Sequence, residues 1–518
     1  MNLNRKLWWA QHKSNVYKYG TILSLVLIVT ISIIYFTYSK FSSRNEATAY
    51  ETTVEPFIKN DYFIASYIDG EWSDSIPGKS DGYVVDKVVC DNGATGTWDN
   101  EEWGINIRNA TKKIKCSVYF EIPLDINVEL AQGMIPVKFD ASGNVVVADT
   151  STKWYNYKTH EWANAVLVNC ADSAIKSKYF DSNNKVLASA VGKTISMDEI
   201  MQMYVYIPRY KYQLFNAEKG ISEEQAINIT FESKTTAKST GTKNGEWLTH
   251  PAFTFGDKEL AGIWVGKFET SNTSALPKIV PNVSSLRSMT VSAQFNTSRL
   301  MTTTLASTYG TSTNDDSHMM KNMEWGAVAY LSSSIYGRYT NASTCIESGC
   351  EVWINNNSNY TTGCAGSSVS ASSASTCNAW NTATGVNAST TGNIYGIYDM
   401  SGGAAEYVMG NYNDTIKYAG FSSMPEAKYY DKYTGTDSNS DFTKYHLGDA
   451  TKETVKTKSS GSNSWYQDYS YSVYSSRPWV IRGGTYNLST FAGVFNFDSL
   501  YDGRSYSNSS FRVVLGAL

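Results

Sequence analysis

Residues 19–39 carry no charge, and Ile22-Leu23-Ser24-Leu25-Val26-Leu27-Ile28-Val29 is followed by Ile31, Ile33, Ile34, Tyr35 and Phe36 with no polar stripe. A run of this length predicts one helix able to cross a bilayer, because only a helix satisfies its own backbone in hydrocarbon. Arg5, Lys6, Lys13 and Lys18 precede it without an acid, whereas Lys40 and Arg44 are soon followed by acids. Positive-inside bias then makes 1–18 a cytoplasmic tail, 19–39 a single membrane anchor, 40–55 a linker, and everything beyond it extracellular. A cleaved leader is the rival, but the run exceeds a usual apolar core and Tyr35-Phe36-Thr37-Tyr38-Ser39 is no small-residue cleavage site.

Alternation of period two takes over downstream. Cys90 and Cys116 bracket a Gly-rich turn and Trp103-Gly104-Ile105-Asn106-Ile107, and Val118, Phe120 and Ile122 continue the alternation. This predicts a disulfide across two strands of a small β-sandwich over 56–130, immunoglobulin-like in pattern though with a shorter cysteine spacing. From 131 to 518 the character changes. Ile135-Pro136-Val137-Lys138-Phe139 and Val145-Val146-Val147 read as strands, 197–203 as a short helix, and Gly, Ser, Thr and Asn punctuate the chain after Thr235. A loop-rich domain with few long elements follows.

Composition narrows the partners. Charged residues make up 18% and the net charge is −4, so neither a polyanion-binding surface nor a charged disordered tail is indicated, and nucleic acid is not expected as a partner. The 37 tyrosines and 14 tryptophans suit a β-rich protein with amphipathic recognition surfaces. Seven cysteines fit an oxidising compartment. Cys345, Cys350, Cys364 and Cys377 predict two bridges stapling a long surface loop, with connectivity open; zinc is the weaker alternative because no histidine lies near. Cys170 is left over, either buried and free or partnered elsewhere.

Six different blocks follow one another along the chain: Tyr204-Val205-Tyr206-Ile207-Pro208, His250-Pro251-Ala252-Phe253, Gly266-Lys267-Phe268-Glu269, Glu324-Trp325-Gly326-Ala327, Asn393-Ile394-Tyr395-Gly396 through Gly402-Gly403-Ala404-Ala405-Glu406-Tyr407, and Arg482-Gly483-Gly484 with Phe511-Arg512-Val513. Over 200–518 this series resembles the formylglycine-generating, sulfatase-modifying-factor family. The resemblance implies an α+β, loop-rich variant of the C-type lectin fold. In that family a cysteine pair after the Gly-Gly performs copper-dependent oxidation, and those positions fall here on Leu488 and Gly493. Neither can form a thiolate or bind copper, so the expectation is a noncatalytic scaffold. The family's calcium-ligand asparagine is Gly403 here, which leaves Glu406 as the remaining calcium candidate. His12, His160, His250, His318 and His446 are scattered and build no metal motif. Asp315 and Asp316 near His318 read as solvated loop carboxylates.

Between the framework pieces, 485–510 reads TYNLSTFAGVFNFDSLYDGRSYSNSS, the residue types of adaptable binding loops. The candidate ligand contacts are Tyr486, Asn487, Ser489, Phe491, Phe495, Phe497, Tyr501, Arg504, Tyr506 and Asn508. For the phenylalanines a core position is an equal alternative. Lys, Glu, Gln, Met and Trp are absent from the stretch, and its residue types can be encoded by changing the adenines of AAC or AAT codons. That set resembles the variable region of proteins diversified by diversity-generating retroelements. The expected function is recognition of a surface protein, peptide or glycan; a sulfatase-modifying-factor-like enzyme with altered chemistry and a structural envelope protein are the alternatives.

Overall fold

The computed structural model describes residues 62–518 except 74–75, 77, 80–82, 111–112, 122–123, 125, 219–222, 340–349, 457–460, 463, 500 and 518. The described residues divide into two compact units, which part between 123 and 124.

In the first unit, strands Glu71–Trp72, Tyr62–Ile68, Lys115–Glu121 and Val84–Cys90 form one antiparallel sheet in that order, and Thr95–Asp99 pairs with Gly104–Arg108 as a separate hairpin. Cys90 and Cys116 are register partners and are joined by a disulfide. The alternation places Ala65, Val118 and Phe120 in a small core. Trp98 packs edge-on against both Phe120 and Trp103, at 5.2 and 5.3 Å between ring centroids. A four-stranded sheet and one hairpin fall short of the seven strands of an immunoglobulin sandwich, so that expectation is corrected among the described residues.

The second unit has two large sheets and, besides them, one three-stranded and several two-stranded sheets. In the first, Asp316–Met319, Val513–Gly516, Gly262–Gly266, Ile200–Pro208, Asn164–Val168, Ile135–Phe139 and Val145–Val147 are neighbours in that order. In the second the order is Asp431–Tyr433, Ala405–Tyr412, Trp479–Gly483, Gly493–Asp498, Tyr469–Ser470 and Gly461–Ser462, with Ser509–Phe511 parallel to the 405–412 strand. The helix expected at 197–203 is instead a turn at 197–199 followed by the start of the 200–208 strand. Its run IMQMYVYIP is buried at every position, the pattern of a central strand covered on both faces.

Arg512 sits where the chain passes from one sheet to the other, between Phe511 and Val513, and is fully buried. Its guanidinium donates to Glu406 Oε2 at 3.1 Å, Glu406 Oε1 at 2.5 Å, Gly266 O at 2.7 Å and Tyr398 O at 2.9 Å. One side chain thus ties the 405–412 strand to the 262–266 strand, and the C-terminal sequence Phe511-Arg512-Val513 supplies the joint.

Strand accounts for 32% and helix for 14% of the structure, so the expected α+β class gives way to a mostly β fold. Among the described residues no helix is long and apolar enough to cross a membrane. The expected anchor over 19–39 and the single-pass location built on it are therefore not carried by this structure; 1–18, 19–39 and 40–55 lie outside the described residues.

Candidate functional site

The 479–483 strand ends at Gly483 (φ 80°) and Gly484 (φ 73°), left-handed conformations that glycine adopts freely. The chain turns through a short 3₁₀ segment, Ser489–Phe491, and returns as the 493–498 strand, with Arg482 opposite Phe497 and Gly483 opposite Gly493. The 485–510 segment is thus two surface loops flanking a buried strand. This corrects two candidates. Phe495 and Phe497 are core residues, Phe495 against Trp465 at 4.8 Å and Phe497 against Tyr445 at 5.4 Å between ring centroids. Phe491 is 41% exposed.

The remaining candidates form two aromatic groups. Tyr486 meets Tyr360 edge-on at 4.9 Å, and the Arg287 guanidinium lies 3.9 Å over the Tyr360 ring. Tyr501 stacks on Tyr506 at 4.0 Å, with Asn508 Nδ2 donating to the Tyr501 hydroxyl and the Tyr506 hydroxyl donating to Asp502 Oδ1 at 3.2 Å. Arg504 is held in the same loop by Asp502 at 2.7 Å and lies 4.3 Å over Tyr418. Arg287 joins the groups: its Nη1 donates to Ser507 O, while the neighbouring Ser288 N donates to Tyr506 O at 3.0 Å. Burial raises the phenols of Tyr360, Tyr501 and Tyr506 above their ordinary range.

Asn487 and Ser489 lie on the first loop. Thr485 Oγ1 donates to Asn487 Oδ1 at 2.7 Å, and Ser489 Oγ donates to Ser370 O at 2.7 Å. Ser370 belongs to the loop closed by a Cys364–Cys377 disulfide. Cys350 is also disulfide-bonded, Cys345 lies outside the described residues, and Cys170 is free and buried.

Leu488 packs on the apolar cluster of Ile354, Ala371 and Ala492. Gly493 lies against Asp468, and a Cβ there would fall 2.1 Å from Asp468 Oδ1. The calcium candidate Glu406 is fully buried and taken by Arg512, and among the described residues no group of three or more His, Cys, Asp or Glu could hold a metal ion. Gly403 (φ 69°) has its own local reason: a Cβ would fall 2.5 Å from Glu269 Oε1, which accepts from Ala404 N at 2.9 Å. Burial, then the charges of Asp399 and Glu406, push the Glu269 carboxyl far above the usual range.

Sequence reasoning missed Arg287, Tyr360 and Tyr418, which arrive from loops far along the chain with no periodic signal. It also misread Asp316. That carboxylate is buried, accepts from Arg299 at 2.5 Å, and faces His318 Nδ1 at 2.8 Å, while His318 Nε2 faces Glu324 Oε1 at 2.9 Å. Burial alone would lower the imidazole, but Glu324 and Asp316 outweigh it and raise it to about 9.

No protein-family model and no curated protein matches this chain, so the formylglycine-generating resemblance gains no support from them. Among solved structures the chain is similar to Treponema denticola variable protein 1, at 10% identity, covering 63% of this chain and 99% of that one with a TM-score of 0.25.

Proposed function

We propose that this chain is a noncatalytic binding protein that recognises a protein, peptide or glycan through the two loops of 485–510 together with Arg287, Tyr360 and Tyr418. The observation that supports this is the coupled aromatic surface, in which Tyr486 rests on Tyr360, Tyr501 on Tyr506, and two guanidiniums lie over tyrosine rings. Tyrosines fixed by their neighbours offer large amphipathic contact area with little entropy left to lose, and the serines and asparagines between them supply adaptable hydrogen bonds. Leu488 and Gly493 offer no thiol at the positions where the resembled enzymes place their cysteines.

A hypervariable role for the loops is part of the same proposal. Asn487, Thr490, Phe491, Arg504, Ser505 and Ser507 are exposed, whereas Gly493, Phe495, Phe497 and Gly503 are buried. Exchange at the first set leaves the scaffold intact; exchange at the second disturbs it. Sequencing the locus for a near-identical template repeat and a reverse transcriptase tests this part. Binding is tested by presenting the full chain to protein, peptide and glycan arrays and by assaying copper-dependent oxidation of a cysteine-containing peptide. Selective retention without turnover supports the proposal, and turnover overturns it.

A further inference from the structure

A cleft of about 900 Å³ opens between the 143–145, 194–200, 271–284 and 380–381 segments, all outside 485–510. Its size lies within the usual range of small-ligand sites, and its lining is mixed: Met197, Val280 and Val283 are apolar, and polar side chains share the wall with them. Ser196, Asp198, Lys278, Asn282 and Asn381 line it, and among the described residues their side chains have no hydrogen-bond or ion-pair partner. The cleft therefore offers amide and hydroxyl groups that both donate and accept, plus one acid and one base whose charges cancel.

We propose that this cleft is a second binding site and that it takes a neutral or N-acetylated oligosaccharide. A single lysine cannot hold a polyanion, which excludes nucleic acid and sulfated chains. A hydrophobic peptide would cover Met197, Val280 and Val283 but leave the unpartnered acid, base and amides without hydrogen bonds. A saccharide presents vicinal hydroxyls that pair with each amide as water does, so exchanging first-shell water for ring hydroxyls keeps the hydrogen bonds made. The cleft also touches the tyrosine surface. Ser284 lines it and accepts from Arg287 Nη2 at 3.4 Å, so a long glycan can pass from one site to the other. The inference does not rest on the tyrosine surface being the primary site.

The test uses the full chain on an array of maltotetraose, cellotetraose, chitotetraose and comparable neutral and N-acetylated tetrasaccharides, with a Gly-Ser-Asn peptide series as control. The variant is Asn282→Gly with Asn381→Ala; both residues are exposed, and glycine keeps the left-handed backbone that Asn282 adopts at φ 63°. At least one tetrasaccharide is retained, and the variant weakens that retention tenfold or more while Tyr486→Ala with Tyr506→Ala does not. Loss in the tyrosine variant alone, retention of the peptides in place of sugars, or no saccharide retained overturns the second site. Failure of the tyrosine surface alone leaves the cleft's own result intact.

Discussion

Gly493 lies so close to Asp468 that any side chain at 493 would enter the carboxylate: the nearest approach of an added Cβ is 2.1 Å, to Oδ1. Asp468 is fully buried, its Oδ2 accepts from Phe495 N at 2.9 Å, and burial pushes its carboxyl far above the usual range. The contact closes position 493 to any side chain. Gly493→Ala should lower stability by roughly 1–3 kcal/mol, the usual penalty for overpacking. Urea unfolding checks this; an unchanged midpoint would mean that Asp468 gives way.

Arg512 and Glu406 form a pair with both side chains at 0% exposure. Removing one partner strands a buried charge, so Arg512→Met should destabilise by about 3–5 kcal/mol. Arg512→Met with Glu406→Leu should recover a large part of that loss, since replacing both partners removes the unpaired charge. A double-mutant cycle by denaturant unfolding measures the coupling, and additive losses would contradict it.

His318 gives stability a basic limb. Its folded value is raised from 6.5 to about 9, so its contribution is fully present below pH 6.5 and is lost as pH rises through 9. A shift of that size corresponds to about 3 kcal/mol at most. Thermal melting from pH 6 to 10 should therefore show a fall centred between these values, and His318→Asn should flatten it. A wild-type curve already flat across that range would remove the imidazolium from the account.

The Cys364–Cys377 bridge closes the loop that receives Ser489. Replacing both cysteines by serine should lower stability by roughly 3 kcal/mol in the chain-entropy model. Denaturant unfolding of the oxidised protein against the double variant measures the difference, and equal midpoints would show that the loop is held by its other contacts alone.

Strands with a clean local signal were legible from sequence: Ile135–Phe139 and Val145–Val147 lie where the apolar runs placed them, and Cys90 faces Cys116. The 200–208 strand was misread at its start because a short buried run has no period that separates helix from strand. Within 485–510 the polar loop residues were recognisable by type, but Phe495 and Phe497 were not separable from Phe491, since burial there is set by the pairing with the 479–483 strand. Arg287 and Tyr360 were invisible for a related reason. Their proximity to Tyr486 is made by tertiary packing of irregular loops, which leaves no mark on local pattern. Asp316 misled because a pair of adjacent acids looks solvated until Arg299 and His318 are known to face it.

The central claim is that the tyrosine surface binds. Its most direct measurement is retention of the full chain, wild type against Tyr486→Ala with Tyr506→Ala, on protein, peptide and glycan arrays, with thermal melting of both recorded. Selective retention by the wild type, reduced tenfold or more in the variant at an unchanged melting temperature, is the predicted result. Equal retention by the two proteins, or no selective retention by the wild type, would contradict it.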